Sequence, residues 1–540
     1  MLRYSAYILA LVMTVVSGLL ALRDPVWGWG LAVFGALAVL GTWDLLQRTT
    51  TLRRNYPILA HFRYGLESIG PELRQYFFEA DTDAVPYSRE QRTLVYQRSK
   101  GVADVRPFGS LQDIYGANYD WINHSLRPAH IDDPGFRIRI GEGCAHPYDA
   151  SVFNISAMSF GALSAAAIRA LNAGAKAGGF YHDTGEGSIS PYHLEAGGDL
   201  VWEIGSGYFG CRDEAGNFDP ARFTANATLP QVRMIEVKLS QGAKPGKGGV
   251  LPAAKVSAEI AAARGVAQGV DCVSPPAHNA FETPLGLLEF IAQLRILSGG
   301  KPVGFKLAIG HPWEWLGIAK AMQTSGMLPD FIVVDGAEGG TGAAPAEFID
   351  HVGLPMHEAL MLVHNTLVGL DLRDRIRIGA AGRITSAFDI ARTLAMGADW
   401  CNAARGFMFA LGCIQSMSCH TDHCPTGVAT QDPARWKHLD VPDKAARVAN
   451  FHRNTLHALA DLLAAAGLDH PDQLGPEHIL RRVSPVEIRS LASLYRFVSR
   501  GELLRGIPDH AVFREYWADA RADSFLPPSS VARLRCGKSL

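Results

Sequence analysis

Two long apolar runs without a charged residue open the chain. They cover residues 4–22 and 25–43, 19 residues each, and only Arg23 and Asp24 separate them. A helix of roughly 20 apolar residues spans a bilayer. The pattern therefore predicts a two-helix transmembrane hairpin over residues 1–50.

Basic residues flank the predicted hairpin at both of its ends. Arg3 precedes the first run. Arg48, Arg53 and Arg54 follow the second run. The positive-inside rule places such flanks in the cytoplasm. We therefore expect a two-pass protein of the cell inner membrane, with everything after residue 50 on the cytoplasmic side.

Two other interpretations of the apolar runs are weaker. A signal peptide would end at a small-residue cleavage site before a polar segment, whereas here a second apolar run follows. Buried helices of a soluble protein usually keep a polar face, whereas both runs are apolar all round. The membrane hairpin is the favoured interpretation.

Residues 51–130 are polar and aromatic, unlike the segments on either side. The stretch 58–81 has the spacing of one or two amphipathic helices, with Pro71 at a helix start or break. We interpret this part as a helical linker that docks between the membrane and the following domain.

From about residue 150, short apolar or β-branched runs alternate with helical stretches such as 164–177, 287–297 and 387–396. Eight alternations over about 260 residues favour a closed (β/α)8 barrel of the TIM type over an open sheet, and we assign it residues 131–435. The predicted strands are 153–158, 180–182, 234–239, 270–273, 303–308, 331–335, 375–379 and 400–403.

The remaining residues, 436–540, predict a small helical region. Its main element is an amphipathic helix over residues 443–467 that ends at Gly467. A Pro-rich basic tail closes the chain.

Glycine-rich segments follow several predicted strands and suggest a binding face. They are residues 158–164, 184–188, 240–249 and 335–345. The active site of a (β/α)8 barrel lies at the carboxyl ends of its strands, where glycines let backbone N–H groups approach a phosphate. One such loop would be explained by a tight turn. Several loops that also carry Lys, Glu or Thr favour a ligand site.

Composition narrows the functional class. The 540 residues are 48% hydrophobic, ample for one large domain with smaller additions. The formal net charge is −2 and no long basic run follows the N-terminal region, so we expect no nucleic-acid partner. The 8 Cys are too sparse for a secreted disulfide scaffold.

Three cysteines, Cys413, Cys419 and Cys424, lie within twelve residues, and Pro425 follows the last. Thiolates hold iron–sulfur clusters, and a Cys-Pro pair commonly ends such a motif. Three ligands suit a three-iron cluster. A four-iron cluster would need a fourth ligand, for which Cys401 is the nearest candidate in the sequence.

Two alternatives to an iron–sulfur cluster stay open. Zinc could be bound by the three cysteines with His420 or His423, although only the second Cys spacing is typical of zinc sites. The three residues could also be buried free thiols.

Several segments occur in the order found in glutamate synthase, and together they cover roughly residues 150–435. The chain resembles the synthase domain of that family, which binds FMN and an iron–sulfur cluster, and most of all its stand-alone members, some of which have an N-terminal membrane segment. The segments are SAMSFGALS, TGEGS, KLSQGAKPGKGGVLPAAKV, SPPAHN, DGAEGGTGAAP, GLPMHEAL, LVGLDLRDRI and GCIQSMSCHTDHCPTGVATQDP.

The resemblance implies an oxidoreductase that acts on CH–NH2 donors. It implies FMN, a [3Fe–4S] cluster on the three clustered cysteines, and reductive amination of 2-oxoglutarate through 2-iminoglutarate, with a hydride delivered from N5 of reduced FMN. The expected small-molecule partner is thus a 2-oxo acid or an amino acid.

The resemblance also assigns catalytic roles. A dicarboxylate substrate needs fixed cations, which Lys238 and Lys244 would supply. Gln241 would donate to a carboxylate or an imine, and Glu186 would accept protons or order its loop. Lys306 would face the flavin edge that becomes negative on reduction.

The FMN phosphate is expected beside the last strands and the glycine-rich loops. Besides Lys306, the residues expected to bind FMN are Ala157, Met158, Ser159, Asp335, Gly339, Gly340, Thr341, Gly342, Gly379, Gly382, Arg383, Ala404 and Arg405.

The sequence also departs from full-length glutamate synthases. We expect no amidotransferase domain, no C-terminal β-helix and no Rossmann nucleotide site, because no G-x-G-x-x-G follows a strand. Electrons would then come from a separate ferredoxin-like protein or a membrane carrier. Ammonia would come from solution or from a partner.

Three functions remain in competition. The first is amino-acid formation from a 2-oxo acid with ammonia or a primary amine. The second is an FMN-dependent amine or amino-acid dehydrogenase that feeds electrons to the membrane. The third is a non-catalytic electron-transfer subunit, which would have no need of the lysine pair Lys238 and Lys244.

Overall fold

The computed structural model describes residues 2–47, 50–80, 83 and 86–528. Its contacts divide the chain into two units, Met1–Asp83 and Ala84–Leu540. The predicted domain boundaries at residues 50, 130 and 435 all fall inside these units. Arg48 of the predicted flank and the basic tail lie outside the described residues.

The first unit is helical, and its first two helices run antiparallel. Tyr7 near the start of α1 and Thr42 near the end of α2 are joined by a 2.8 Å hydrogen bond between their hydroxyls. Its helices are α1 Ser5–Ala21, α2 Trp27–Leu46, α3 Thr51–Asn55 and α4 Leu59–Leu73, followed by a π-helical turn, Arg74–Phe78.

A buried carboxylate fixes the corner after α2. Asp44 is fully buried, accepts a hydrogen bond from the Ile58 backbone N–H at 3.0 Å and bonds His61 Nε2 at 2.8 Å. The end of α2 is thereby tied to the start of α4.

Within the described residues, α2 is the one helix that is long and apolar enough to cross a membrane, and α1 is apolar but shorter. The predicted helical pair is therefore present. Its insertion into a membrane stays a prediction.

The second unit is built on a closed barrel of eight parallel strands, ordered β4-β5-β6-β7-β10-β11-β12-β13, with β13 pairing back to β4. This confirms the predicted barrel. The strands of the unit are β1 Asp120–Ile122, β2 Arg137–Ile140, β3 Tyr148–Ser151, β4 Phe153–Ile155, β5 His182–Asp183, β6 Leu200–Ile204, β7 Val232–Lys238, β8 Val250–Leu251, β9 Cys272–Val273, β10 Val303–Leu307, β11 Phe331–Asp335, β12 Arg377–Ala381, β13 Trp400–Ala403, β14 Ile479–Ser484 and β15 Glu487–Ser490.

Helices surround the barrel, and the predicted helices at 164–177, 287–297 and 387–396 are confirmed as α6, α10 and α14. The helices of this unit are α5 Arg89–Lys100, α6 Ala165–Gly178, α7 Pro191–Leu194, α8 Pro220–Ala227, α9 Ala258–Arg264, α10 Pro284–Leu297, α11 Pro312–Ser325, α12 Ala346–His351, α13 Met356–Gly369, α14 Ala387–Ala395, α15 Arg405–Ala410, α16 Pro433–Trp436, α17 Val441–Ala466, α18 Leu491–Leu494, α19 Glu502–Arg505 and α20 Ala511–Tyr516.

One predicted barrel strand was wrong and another was missed. Residues 270–273 look β-branched, but Val270 and Val273 are 58% and 60% exposed, and the segment contributes β9, which pairs with β8 outside the barrel. The missing strand is β6, which is buried throughout. Its Glu203 interrupts the apolar pattern because that carboxylate faces a buried partner inside the barrel.

An antiparallel hairpin of β2 and β3 precedes the barrel and packs against its apolar interior. Tyr148 of this hairpin lies in one buried cluster with Val201, Met234, Phe331 and Trp400 of the barrel strands. The amino-terminal end of the barrel is therefore filled, which leaves the carboxyl-terminal end for a ligand.

The region after residue 435 is not purely helical. The long helix α17 ends at Gly467 in the left-handed conformation, as predicted. Beyond it, β14 pairs with both β15 and β1, which forms a three-stranded sheet that joins this region to residues 120–122. The sequence pattern misses this sheet because its strands are short and partly polar.

Asp120 anchors that sheet to the barrel. Its carboxylate accepts two hydrogen bonds from Arg481, at 2.7 and 2.8 Å, and one from Arg392 of α14 at 3.1 Å. Burial by itself would raise the pKa of Asp120, but the two guanidinium groups outweigh it and lower the pKa.

We expect Asp120→Asn to lower the free energy of unfolding by about 3 kcal/mol, because it leaves two guanidinium groups without their shared anion. A carboxylate with a lowered pKa makes its full contribution to the free energy of unfolding above the ordinary Asp pKa, near 4, and this contribution is lost as the pH falls through the lowered value. The free energies of unfolding of the variant and the unmodified protein should therefore differ less in acid. Denaturant unfolding at pH 7 and below pH 4 measures this.

Asp132→Asn is the matched control, since its side chain is 93% exposed. It should leave the unfolding midpoint unchanged. Equal midpoints for Asp120→Asn and the control at pH 7 would contradict the anchoring role.

Candidate active site

A cavity opens at the carboxyl ends of the barrel strands, where the glycine-rich loops converge. Of the predicted catalytic residues, FMN-binding residues and three clustered cysteines, all but Lys238, Gly379, Cys413 and Cys424 line it. Those that do are Ala157, Met158, Ser159, Glu186, Gln241, Lys244, Lys306, Asp335, Gly339, Gly340, Thr341, Gly342, Gly382, Arg383, Ala404, Arg405 and Cys419.

The loops after β7 and β11 are locked together. The Gly242 backbone N–H donates to Asp335 Oδ2 at 2.8 Å, and a Cβ at Gly242 would lie 1.7 Å from the Gly336 carbonyl oxygen. Only a glycine permits this approach. Asp335 therefore orders the loop that carries Gln241 and Lys244, in addition to lining the cavity.

Glu186 and Lys238 form a largely buried ion pair at the cavity wall, with Glu186 Oε2 2.7 Å from Lys238 Nζ. Burial would raise the pKa of Glu186, but Lys238, Lys244 and Arg264 outweigh it and lower the pKa. Glu186 is thus held as a carboxylate. Lys238, which does not itself line the cavity, is oriented toward it through this pair.

Lys244 is a buried cation of this wall that has no carboxylate partner among the described residues. It is 3% exposed and lines the cavity, and within the described part of the chain no carboxylate lies within 4.0 Å of it. Burial is the main cause that lowers the pKa of Lys244, and the neighbouring Glu186 opposes it. A buried ammonium without a partner favours the binding of an anion.

A second cationic area lies where the loops after β11, β12 and β13 meet. Arg383 and Arg405 both line the cavity, and a Cβ at Gly340 would come within 2.9 Å of the Arg405 guanidinium. Arg383 has a φ of 52°, a left-handed conformation that stores strain in a non-glycine residue. Two arginines beside a glycine-rich loop suit a phosphate.

Gly379 does not belong to the site. It lies within β12, where a Cβ would meet the Trp400 ring at 2.5 Å. The glycine is required for packing inside the barrel. The predicted strand ended at residue 379, two residues too early, which placed this glycine at the rim.

The cysteine segment passes beside the cavity. Cys419 lines it, and the Lys255 ammonium donates to the Cys419 carbonyl at 2.9 Å and to the Ala429 carbonyl at 3.0 Å. Tyr96 donates to the Cys413 carbonyl at 2.6 Å. The segment is therefore held at both ends by side chains from elsewhere in the fold.

The surroundings of Cys424 favour a thiolate, whereas those of Cys413 favour a thiol. Burial would raise the pKa of Cys424, but the Thr426 hydroxyl and nearby backbone N–H groups outweigh it and lower the pKa. Burial raises the pKa of Cys413 to about 11. Backbone donors to a sulfur are typical of cluster sites.

Two alternatives for this segment lose support. Cys401 lies on β13 with its thiol bonded to Thr393 of α14, on the helix side of the strand, so it is not an available fourth ligand. In the described residues, one group of His, Cys, Asp or Glu side chains has its ligand atoms within 4.8 Å of one another. That group does not contain the three cysteines. Ligands of a single tetrahedral zinc ion would lie within about 4 Å.

Several residues that line the cavity were not predicted from the sequence, among them Lys255 and Arg264. Lys255 lies in a segment that resembles the family. Glu203 was hidden in the missed strand β6. Tyr87 comes from the region predicted as a linker, and its ring packs edge-on against Phe409 at 5.3 Å. No local pattern marks such a residue.

Sequence comparison relates the chain to known proteins. A model described as the conserved region in glutamate synthase matches residues 144–469. The chain is 38% identical over 499 residues to the glutamate synthase large subunit-like protein YerD of Bacillus subtilis. This match covers 84% of this chain and 94% of that protein. The chain is also 36% identical over 321 residues to archaeal glutamate synthase (NADPH) of Methanocaldococcus jannaschii. This second match covers 59% of this chain and 60% of that protein.

Among solved structures, a flavocytochrome b2 double mutant with pyruvate bound has a TM-score of 0.43 at 12% identity, over 85% of this chain and 90% of that chain. This likeness adds nothing to what the sequence comparison shows.

We expect Gly242→Ala to open the cavity wall, because its Cβ cannot fit 1.7 Å from the Gly336 carbonyl oxygen unless the backbone moves. The cost should be about 3 kcal/mol of stability, seen in thermal unfolding, together with faster proteolysis within residues 240–249. Gly310→Ala is the control, since nothing lies within 4 Å of its Cβ position. Identical melting and proteolysis of both variants would contradict the locked loops.

Proposed function

Because the chain belongs to the glutamate synthase family, we propose that it is an FMN- and iron–sulfur-dependent oxidoreductase that forms an amino acid by reductive amination of 2-oxoglutarate or a related 2-oxo acid. The observation that carries the proposal is Lys244, a buried ammonium at the cavity that has no carboxylate partner in the described structure. A carboxylate of the substrate would fill that place.

The cavity residues fit FMN. The Arg383 and Arg405 side chains and the loop that contains Gly340 and Gly342 would hold its phosphate, since glycines leave their amides open to a ligand. Lys306 also lines the cavity and would stabilise negative charge on the isoalloxazine ring. FMN, when bound, would supply the two-electron chemistry.

The three cysteines fit a [3Fe–4S] cluster better than a single ion. The three cysteines do not form a group of ligand atoms within 4.8 Å of one another in the described residues, as ligands of one zinc ion would. The Cys401 thiol is bonded to Thr393, which argues against a four-iron cluster. A cluster held by Cys413, Cys419 and Cys424 would lie next to the cavity through Cys419 and would relay electrons to it.

The substrate end of the cavity is lined by side chains that can bind a dicarboxylate. Lys244 would pair with a substrate carboxylate, and Gln241 would donate an amide N–H to it. Glu186 holds Lys238 by the 2.7 Å ion pair, so that these two residues can exchange or retain a proton next to the substrate. Fixing the substrate in this way lowers the entropic part of the barrier.

Electrons and ammonia would come from partners. We propose a ferredoxin-like protein or a membrane carrier as the electron donor, and free ammonia or an ammonia-supplying partner as the nitrogen source. The archaeal relative is named as an NADPH enzyme, and the chain covers 60% of its length.

The helical pair α1 and α2 supports a membrane location. Its outward side chains are apolar, and Leu19 and Val39 are 63% and 71% exposed. Apolar surface of this extent is unfavourable in water and favourable in lipid. We propose a two-pass anchor in the inner membrane with the barrel on the cytoplasmic side.

The same surface favours a second candidate function. An enzyme next to a membrane could work in the oxidative direction, as an amine or amino-acid dehydrogenase that passes electrons to a membrane carrier. A purely electron-transferring subunit is the weakest candidate, because it would not need the unpaired Lys244.

The central test is a substrate screen. We expect Lys244→Ala and Lys238→Ala to abolish flavin reoxidation by dicarboxylic 2-oxo acids while FMN stays bound. Loss of a buried charge partner costs about 3–5 kcal/mol, or roughly two to four decades in rate. Glu186→Gln should cost less if Glu186 only orders the loop, and as much if it relays a proton.

Lys247→Ala is the control for this test, because Lys247 lies in the same loop, is exposed and does not line the cavity. It should react at the normal rate. Near-normal rates for both cavity variants, or an unmodified protein whose flavin responds to no 2-oxo acid and no amino acid, would overturn the proposal.

We expect Cys413→Ser, Cys419→Ser and Cys424→Ser each to lower the iron and sulfide content and the paramagnetic signal of the oxidised protein. Cys401→Ser should change none of these, because its thiol faces α14. Stoichiometric zinc in protein purified without oxygen would contradict the cluster.

We expect the full chain in the membrane fraction after a high-salt wash, and a chain that lacks residues 1–50 in the soluble fraction with its flavin. The reason is the exposed apolar surface of α1 and α2. Full-length protein found wholly in the soluble fraction would show that the helical pair is not an anchor.

A further inference from the structure

A buried layer of charged side chains lies inside the barrel. Asp183 of β5, Glu203 of β6 and Glu236 of β7 each have one carboxylate oxygen within 4.8 Å of the others. None of the three residues is more than 2% exposed. Lys306 of β10 completes the group, since its ammonium contacts Glu203 and lies 3.2 Å from Glu236 Oε1.

Strand register explains why these residues meet. Glu203 pairs with Glu236 across β6 and β7, and Gly304 of β10 pairs with Glu236 on its other side. Asp183 stands on the neighbouring strand β5. Lys306 follows Gly304 by two residues, so both face the barrel interior.

This group connects to the candidate active site. Glu203 and Lys306 line the cavity, whereas Asp183 and Glu236 lie behind them and do not. Oε1 of Glu236 lies 3.2 Å from the Lys306 ammonium but makes no hydrogen bond of good geometry with it. The same ammonium contacts Glu203, so one cation serves two carboxylates, and a proton on Glu236 would relieve the excess negative charge.

The charge balance of the group requires stored protons. Three carboxylates and one ammonium would carry a net charge of −2 if all were ionised, and an uncompensated charge in the protein interior is strongly unfavourable. Burial, Glu236 and Glu203 raise the pKa of Asp183 well above its usual range. Burial raises the pKa of Glu236 to about 7, with Glu203 adding to the effect and Lys306 opposing it.

The other groups that face this layer do not supply the same function. Burial raises the pKa of Tyr181, and its hydroxyl is bonded to Asn402 and Trp400. Burial also raises the pKa of Asp335, but its carboxylate accepts the Gly242 N–H. Lys238 is paired with Glu186.

We propose that Asp183 and Glu236, held in place by Glu203 and Lys306, store protons beneath the cavity, and that Glu236 takes up a proton when the cofactor in the cavity is reduced. This inference rests on the proposed function. Reductive amination of 2-oxoglutarate by ammonium consumes two electrons and two protons and releases one water. A proton store behind the cavity would couple part of that uptake to electron arrival, with Asp183 and Glu236 as positioning residues that touch no substrate.

The first test measures the reduction potential of the bound flavin from pH 6 to pH 9. The unmodified protein should show a steeper fall of potential above about pH 7, because negative charge in the cavity then draws a proton onto Glu236. Glu236→Gln should lose that extra slope and have a less negative potential at pH 8. A purely structural role would move the potential equally at every pH.

Glu289→Gln is the control, since Glu289 lies on the exposed side of α10. It should change neither the potential nor its slope. A Glu236→Gln variant that binds flavin and keeps the normal slope would overturn the inference while leaving the proposed function intact.

The second test needs no bound cofactor, and its first measurement uses the unmodified protein. The infrared carboxylic-acid stretch of the unmodified protein should show two protonated buried groups at pH 6 and lose one of them by pH 9. Glu236→Gln should lack the group that titrates, and Asp183→Asn the group that does not. No protonated buried carboxyl at pH 6 would overturn the inference. If the purified protein contained no flavin, the proposed function would be overturned. The infrared spectra would still show whether Asp183 and Glu236 store protons.

Discussion

Closure of the barrel between β13 and β4 is the interaction on which the candidate site depends. The pairing joins residues about 250 positions apart in the sequence and brings Asn402 opposite Asn154. Side chains reinforce this seam, because Asn154 accepts the Tyr181 N–H at 3.2 Å and Tyr181 donates to Asn402 at 2.6 Å. Once the seam is closed, loops from distant parts of the chain surround one cavity.

Inside the closed barrel, polarity changes along the axis. Apolar side chains such as Met234 and Phe331 fill the amino-terminal end, the layer of Glu203, Glu236 and Lys306 follows, and cations dominate the walls of the cavity. Each layer limits the next. The filled end excludes water, so the charged layer must balance its own charge. Lys244 lines the cavity without a carboxylate partner among the described residues, so an anionic ligand can pair with it.

The amino-terminal unit obeys a different constraint. Its helices bury little besides their shared contact, and a single buried carboxylate, Asp44, sets the turn that follows. Its outward apolar surface is suited to lipid, whereas the barrel unit buries its apolar surface in its own core. The two parts of the chain therefore differ in how much apolar surface they bury within themselves.

Local sequence pattern was enough to predict most of the barrel strands and many of the residues that line the cavity. Seven of the eight barrel strands were found, because apolar runs between helical stretches identify buried parallel strands. The glycine-rich loops, the lysines of the β7 loop and the clustered cysteines were also found, since unusual residues in short segments carry a local signal. Residues 270–273 were mistaken for a barrel strand, because burial cannot be read from β-branched composition alone.

Which of these residues face one another became visible in the folded chain. It recovered β6, whose Glu203 looks unsuited to a buried strand until Lys306 is placed beside it. It moved Gly379 from the rim into the packed interior and turned Cys401 away toward α14. It also brought Tyr87 to the cavity wall. One physical reason explains all four of these residues. The place of a buried charge, a required glycine or a cavity-wall residue depends on a partner that is distant in the sequence. The local sequence pattern holds no information about that partner.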